Sequence, residues 1–198
     1  MVADGIVLSP RKPGLPAEVE AVFREFWTCE LSTLAPDGTP STWPVLPIYR
    51  PRVEQLVIMT PIGIPQKAIN IRRNPKVSLL FSEPKGSVLA SPPAVLVQGI
   101  AEAPDELLTL AGWRESAYRE DVMTQARKAL KNQPLLPLVM SSPLTHYLMD
   151  WYLMRLVIVV APRRILWWER GDFTRAARNG AGPCGVRSKN TCRNFPAR

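Results

Sequence analysis

Residues 55–81, QLVIMTPIGIPQKAINIRRNPKVSLLF, decide the fold of this chain. The stretch opens with a β-rich run, Leu56–Thr60, which the proline- and glycine-containing sequence PIGIP interrupts. A short basic helical segment follows and ends at Asn74-Pro75, because the residue before a proline is biased away from helical backbone. A second β-rich run then extends over Val77–Phe81. The pattern predicts two strands joined by a loop and a very short helix.

The start of that short helix predicts a phosphate-binding loop. Lys67 lies two residues after Pro65, at the point where the strand gives way to the helix. The first N–H groups of a helix have no intrahelical acceptor and favour an anion, and a lysine adds a full positive charge. The alternative is that Lys67, Arg72 and Arg73 form an ordinary solvated helix face.

The remaining patterns predict many short strands. The predicted elements are a helix at 16–27, strands at 29–35, 40–49, 55–60, 76–82, 94–101, 155–161 and 164–168, and a mostly helical segment at 105–131. Asp37-Gly38 marks a tight hairpin between the first two strands. Pro44 and Pro47 interrupt the second strand, which predicts an edge, a bulge or a ligand at that position. Strands without crossover helices favour a closed antiparallel barrel over a doubly wound sheet.

The positive charge is concentrated at the C-terminal end. The chain has 198 residues and a net charge of +8, but residues 175–198 contain six basic and no acidic side chains. The preceding part therefore carries a net charge of only +2. We predict one domain over residues 1–174 and a disordered basic tail over 175–198, and we expect no nucleic-acid partner.

Cysteine content and hydropathy predict a cytoplasmic protein. Three cysteines are too few for a disulfide framework, and no histidine lies near Cys184 or Cys192 in a metal-binding spacing, so we expect no metal. The N-terminus lacks a signal-peptide hydrophobic region, and charged residues interrupt the most apolar zone, 134–168. We therefore expect no membrane span.

Four segments together resemble the pyridoxamine-phosphate-oxidase-like proteins, the flavin-binding split-barrel superfamily. They are LSTLAPDGTPSTWPV, LVIMTPIGIPQKAINIRRNPKVSLLF, VLVQGIAEA and RLVIVVAPRRILWW, and they cover roughly residues 20–170. The resemblance implies a mainly β fold with helices, a six- to seven-stranded antiparallel split β-barrel that forms a homodimer. The helical insertion at about 105–145 is not part of the minimal barrel and would shape a substrate pocket or a dimer surface.

The resemblance also implies where a cofactor binds. The cofactor would be FMN or the deazaflavin coenzyme F-420, and the protein would be an oxidoreductase acting on a small organic substrate. Its binding residues would be Trp43, Pro44, Val45, Thr60, Pro65, Gln66, Lys67 and Arg72. Pro65 replaces the serine usual in the family's phosphate loop, which removes a hydroxyl and an N–H group. No catalytic residue is assigned, because the flavin would supply the chemistry.

Other interpretations remain open from the sequence. Trp43 suits core packing as well as ring stacking, and Trp113 and Trp151 suit a pocket in the insertion. His146, the only histidine, has Ser141 and Asp150 nearby but no G-x-S-x-G elbow. A split-barrel protein that carries or senses flavin or haem without turnover is the alternative function, and an interaction protein acting through the basic tail is a third.

Overall fold

The computed structural model describes residues 15–84, 87–109, 112–132 and 154–181. His146, Ser141, Asp150 and Trp151 lie outside the described residues. The helices are α1 (Ala17–Glu25), α2 (Gln66–Arg73) and α3 (Arg119–Asn132), with a 3-10 turn at Glu169–Gly171. The strands are β1 (Cys29–Leu34), β2 (Pro40–Val45), β3 (Pro47–Arg50), β4 (Gln55–Pro61), β5 (Lys76–Phe81), β6 (Ala94–Glu102), β7 (Leu107–Leu108), β8 (Arg155–Trp168) and β9 (Arg178–Ala181).

Seven strands form a curled antiparallel sheet in the order β2-β1-β5-β6-β8-β4-β3. The two edge strands, β2 and β3, are separated in the chain by Leu46 alone. Opposite edges joined by one residue must lie close together, so the sheet curls into a half-barrel. The predicted mainly β split barrel is therefore confirmed. The predicted second strand at 40–49 is in fact these two strands, which pair with different neighbours, β1 and β4.

The β1–β2 hairpin forms where the sequence predicted it. Gly38 has a φ of +84°, a conformation that glycine adopts without a steric penalty. Thr39 N–H donates to Asp37 Oδ1 at 2.9 Å, and this hydrogen bond lowers the pKa of the Asp37 carboxyl. The turn sets the register in which Thr33 lies opposite Ser41 and Leu31 lies opposite Trp43. It thereby fixes the position of Trp43 on β2.

The main core lies between α1 and the concave face of the sheet. Val19, Val22 and Phe23 of α1 recur at helical spacing and are fully buried. The Phe23 ring packs 5.1 Å from the ring of Phe81 on β5, centroid to centroid. The predicted helix at 16–27 is thus α1, shorter by a residue or two at each end. Its apolar face covers one part of the barrel interior.

The two strands predicted at 155–161 and 164–168 are one strand, β8, with a bulge. Gln98 of β6 pairs with Arg164 and Gly99 pairs with Pro162, so Arg163 is the additional residue. A Cβ atom on Gly99 would lie 2.6 Å from the Ala161 carbonyl oxygen, which only glycine avoids. The prediction was wrong here because a proline at a bulge interrupts the side-chain alternation without ending the strand.

The insertion is less helical than predicted over 105–131. Its described residues contain the short strand β7, a series of turns, and α3, which begins only at Arg119. Beside α3, a second apolar cluster centres on Val57, Met59 and Val157 of the sheet. Strand β4 is consequently buried on both faces.

Part of the segment that was predicted to be a disordered tail forms a β-strand. Residues Arg178–Ala181 form β9, which pairs with β8 opposite Arg164–Trp167. The rest of that segment, 182–198, lies outside the described residues. Among the helices of the described part, none is long and apolar enough to cross a membrane. The domain boundary at 174 stays a prediction.

Candidate functional site

The candidate site is built at the start of α2. Ile69 N–H makes the first helical hydrogen bond, to Pro65 O at 3.0 Å, so the N–H groups of Gln66, Lys67 and Ala68 precede the intrahelical ladder. Pro65 occupies the N-cap position and gives no side-chain cap, and the first turn contains no acidic residue. The positive end of this helix is therefore not compensated locally by a carboxylate.

Lys67 is a buried cation with no anionic partner among the described residues. The residue is only 6% exposed, and burial lowers the pKa of its ammonium group. Within the described part of the chain its side chain makes no hydrogen bond and no ion pair. Its ammonium group lies over the ring of Trp43, whose centroid is 5.2 Å from Nζ. Buried lysines are normally paired with an anion, and this one has no such partner within the described residues.

Trp43 presents an aromatic ring next to this cation. It is 42% exposed, an unusual exposure for so large an apolar side chain. Its indole Nε1–H donates to Ser41 Oγ at 3.0 Å, which fixes the ring's orientation on the edge strand. A fixed, partly exposed ring beside an unpaired ammonium suits a ligand that combines a flat ring system with an anionic group.

A buried polar network connects α2 to the hairpin. Asn70, which is 1% exposed, donates from Nδ2 to Thr33 Oγ1 at 3.0 Å. Thr33 Oγ1 in turn donates to Ser41 O at 3.4 Å. The Asn70 Oδ1 atom accepts hydrogen bonds from Gln66 Nε2 at 2.9 Å and from Arg73 Nη2 at 3.2 Å. This network holds the helix start against the strand that carries Trp43.

Thr60 organises the loop that precedes the helix. Its hydroxyl donates to Ile64 O at 3.3 Å, and the side chain is 1% exposed. Ile64 N–H donates to Pro61 O at 3.0 Å, which closes the turn after β4. These bonds give the chain a fixed entry into α2, so Thr60 supports the site through the backbone.

The structure brings together five of the eight predicted site residues and separates three. Trp43, Thr60, Pro65, Gln66 and Lys67 lie around the start of α2. Pro44 lies in register with Glu30, on the opposite face of the sheet from Trp43, and Val45 is buried in the main core. Arg72 donates from Nε to Ala103 O at 2.8 Å and pairs with Asp105, so it is engaged at the other end of the helix.

Sequence reasoning missed Asn70, Thr33 and Ser41. Their contacts join residues far apart in the chain, such as Asn70 and Thr33. The available signal was alternation along β1, which places Thr33 on the same face as the apolar Leu31. A threonine on a core face requires a hydrogen-bond partner, and the polar residues of α2 are the neighbours that provide one.

The seven-stranded antiparallel half-barrel is the split-barrel architecture. The profile of the pyridoxamine 5'-phosphate oxidase family matches residues 15–140. The chain therefore belongs to this family, and the resemblance noted in the sequence is confirmed. No curated protein sequence matches the chain.

Several solved structures share the fold at low sequence identity. An F-420 reductase is 20% identical, with a TM-score of 0.50, over 76% of this chain and 98% of that one. A conserved hypothetical protein from Mycobacterium tuberculosis is 21% identical, with a TM-score of 0.49, over 89% and 99%. A heme binding protein from Mycobacterium smegmatis is 15% identical, with a TM-score of 0.47, over 84% and 59%.

Proposed function

We propose that the protein is a flavin-dependent oxidoreductase that binds the phosphate of its cofactor at the start of α2. The observation that carries the proposal is Lys67, a residue that is only 6% exposed and has no anionic partner in the described chain. A phosphate group placed there would accept charge-assisted hydrogen bonds from Nζ and from the free N–H groups of the first helical turn.

The residues present fit such a cofactor. Lys67 would hold the phosphate, and the exposed ring of Trp43 would lie against the flat ring system. Asn70 and Thr33 would keep these two groups at a fixed separation through their hydrogen bond. When bound, the flavin supplies the hydride or electron-pair chemistry, while the protein orients it and excludes water.

The cofactor is FMN or the deazaflavin coenzyme F-420. The segment QKAIN, residues 66–70, resembles the lysine loop of the deazaflavin-dependent branch. The substrate would be a small organic molecule. We also propose a homodimer, since family members place their cofactors in clefts between two subunits.

The test is an absorbance spectrum of the purified protein, followed by titration with FMN and with coenzyme F-420. Saturable binding of one of them is expected, and Lys67→Ala should weaken it by about 1.5–3 kcal/mol, the range for hydrogen bonds to charged groups. Lys131→Ala, which removes an exposed lysine on α3, is the matched control and should bind normally.

Turnover is tested separately from binding. Reduction of the bound cofactor by NAD(P)H or by a reduced partner supports the oxidoreductase. A cofactor that binds but is never reduced would instead indicate a carrier or sensor, and a Soret band would indicate haem. Equal affinity in wild type and Lys67→Ala would contradict the phosphate assignment.

A further inference from the structure

The bulge in β8 places two consecutive arginines on the convex face of the sheet. Before the bulge the core-facing residues of β8 are Ile158 and Val160, and after it they are Ile165 and Trp167. This change from even to odd positions leaves Arg163 and Arg164 both exposed on the face opposite the core. A regular strand would have turned one of them inward.

A row of polar side chains crosses the same convex face. Strand register aligns residues of five strands, β2, β1, β5, β6 and β8, in one line: Thr42, Ser32, Ser78, Gln98 and Arg164. Ser32 and Thr42 are hydrogen-bonded through their hydroxyls at 2.8 Å. Aligned hydroxyl and amide groups next to guanidinium groups provide several donors directed at one surface.

Four members of the row, Ser32, Ser78, Gln98 and Arg164, line an open cavity of about 480 Å³. Lys76, Arg163 and Arg164 line it, and none of its lining residues is acidic. Among the described residues, these three basic side chains form no ion pair and no side-chain hydrogen bond. Leu34, Pro40 and Ile100 contribute apolar surface to the lining. The cavity therefore combines an uncompensated positive charge with an apolar wall.

We propose that this cavity binds a small organic anion, an apolar or aromatic body that carries a phosphate or a carboxylate group. The two guanidinium groups and Lys76 would bind the oxyanion, and Ser78 and Gln98 would add neutral donors. The apolar wall would cover the body of the ligand.

This site is separate from the start of α2. Both include Thr33 of β1, but its hydroxyl accepts a hydrogen bond from Asn70 on the concave side, whereas the hydroxyl of Ser32 is hydrogen-bonded to Thr42 on the convex side. The inference does not depend on the proposed cofactor, because Lys67 does not line the cavity. A variant at Lys67 consequently distinguishes failure of one proposal from failure of the other.

The experiment is a fluorescence titration of the full chain with 1-naphthyl phosphate. Inorganic phosphate, 1-naphthol and 1-naphthoate are the comparison ligands. We expect the naphthyl phosphate or the naphthoate to bind about tenfold or more tightly than naphthol and inorganic phosphate. The tighter of the two identifies the oxyanion that the site prefers.

The double variant Arg163→Gln/Arg164→Gln should lose about tenfold or more of that affinity. Because an aromatic phosphate also suits the start of α2, each titration is repeated in the Lys67→Met background, where the loss caused by the double variant should persist. Arg127→Gln, at an exposed arginine of α3, should bind as wild type does. Circular dichroism confirms that each variant is folded. Equal affinity in the double variant would overturn the proposal, as would the absence of saturable binding. A changed sedimentation coefficient with unchanged binding would instead make this face an interface between copies of the chain.

Discussion

The start of α2 joins two residues that each lack a structural explanation alone. A lysine that is 6% exposed without a carboxylate is unfavourable for folding, and a tryptophan that is 42% exposed contributes little to the core. Together they form a cation–π contact at 5.2 Å, which offsets part of the cost of burying the ammonium group. The phosphate of the proposed cofactor would offset the rest.

Replacement of Trp43 tests its contribution to cofactor binding. Trp43→Leu should weaken FMN binding by about 0.5–1.5 kcal/mol, the range for aromatic ring contacts. The free energy of unfolding should change by no more than about 0.5 kcal/mol, because the ring is half exposed. Trp113, which has the Arg114 guanidinium 5.5 Å from its ring centroid, provides the matched control Trp113→Leu. A larger loss of affinity in the control would argue against the role of Trp43.

Asn70 should be the most sensitive polar residue of the site. Asn70→Ala leaves the buried Thr33 hydroxyl without its donor and should lower the free energy of unfolding by about 1–3 kcal/mol. Thr33→Val removes the other partner. If the hydrogen bond is what matters, the double variant will be less destabilised than the sum of the two single variants in urea denaturation. Strict additivity would show that each residue acts independently.

At the scale of elements, an ion pair joins the sheet to the insertion. Arg50 of β3 donates from Nε to Asp121 of α3 at 3.0 Å, and a second guanidinium nitrogen also binds the carboxylate. The Tyr118 ring lies 5.1 Å from the Arg50 guanidinium carbon. Hydrogen bonding to Asp121 raises the pKa of the Arg50 guanidinium. The pair holds α3 against the outer face of the sheet.

Removal of one member of this pair should destabilise the protein. Asp121→Ala leaves a partly buried guanidinium without its acceptor and should cost about 1–3 kcal/mol of unfolding free energy. Arg50→Met/Asp121→Leu should recover part of that loss, because apolar replacements remove both desolvation penalties. Glu20→Ala, which breaks the exposed pair with Arg24, should change stability by about 1 kcal/mol or less. Proteolysis within α3 should accelerate in Asp121→Ala alone.

For the molecule as a whole, the sequence predicted the features set by neighbouring residues better than those set by contacts between distant segments. The Asp37-Gly38 turn and the short helix after β4 follow from nearby residues and were predicted correctly. The engagement of Arg72 with Ala103 O depends on how a distant segment packs, which the sequence does not encode locally. The bulge at Arg163 was predicted as a strand boundary because the preceding residue, Pro162, is of a type that also marks turns.

The stability of the whole molecule should report the charge of Lys67. Because its pKa is lowered in the folded state, the cost of burying the charge is fully present below that folded pKa. The cost disappears as pH rises to the unfolded value, about 10.4. Without ligand, Lys67→Met should therefore be more stable than wild type at pH 7, by about 0.5–2 kcal/mol. The difference should close at alkaline pH.

Ligand should reverse this order. At an FMN concentration of about 100 Kd, wild type should gain about 2.7 kcal/mol of unfolding free energy by mass action. Lys67→Met should gain less, because its weaker binding leaves it further from saturation. Thermal unfolding of both proteins, with and without FMN at pH 7 and pH 10, checks the two effects in one series. If wild type is the more stable protein without ligand at pH 7, Lys67 is accommodated by its own surroundings and the argument for an absent anion fails.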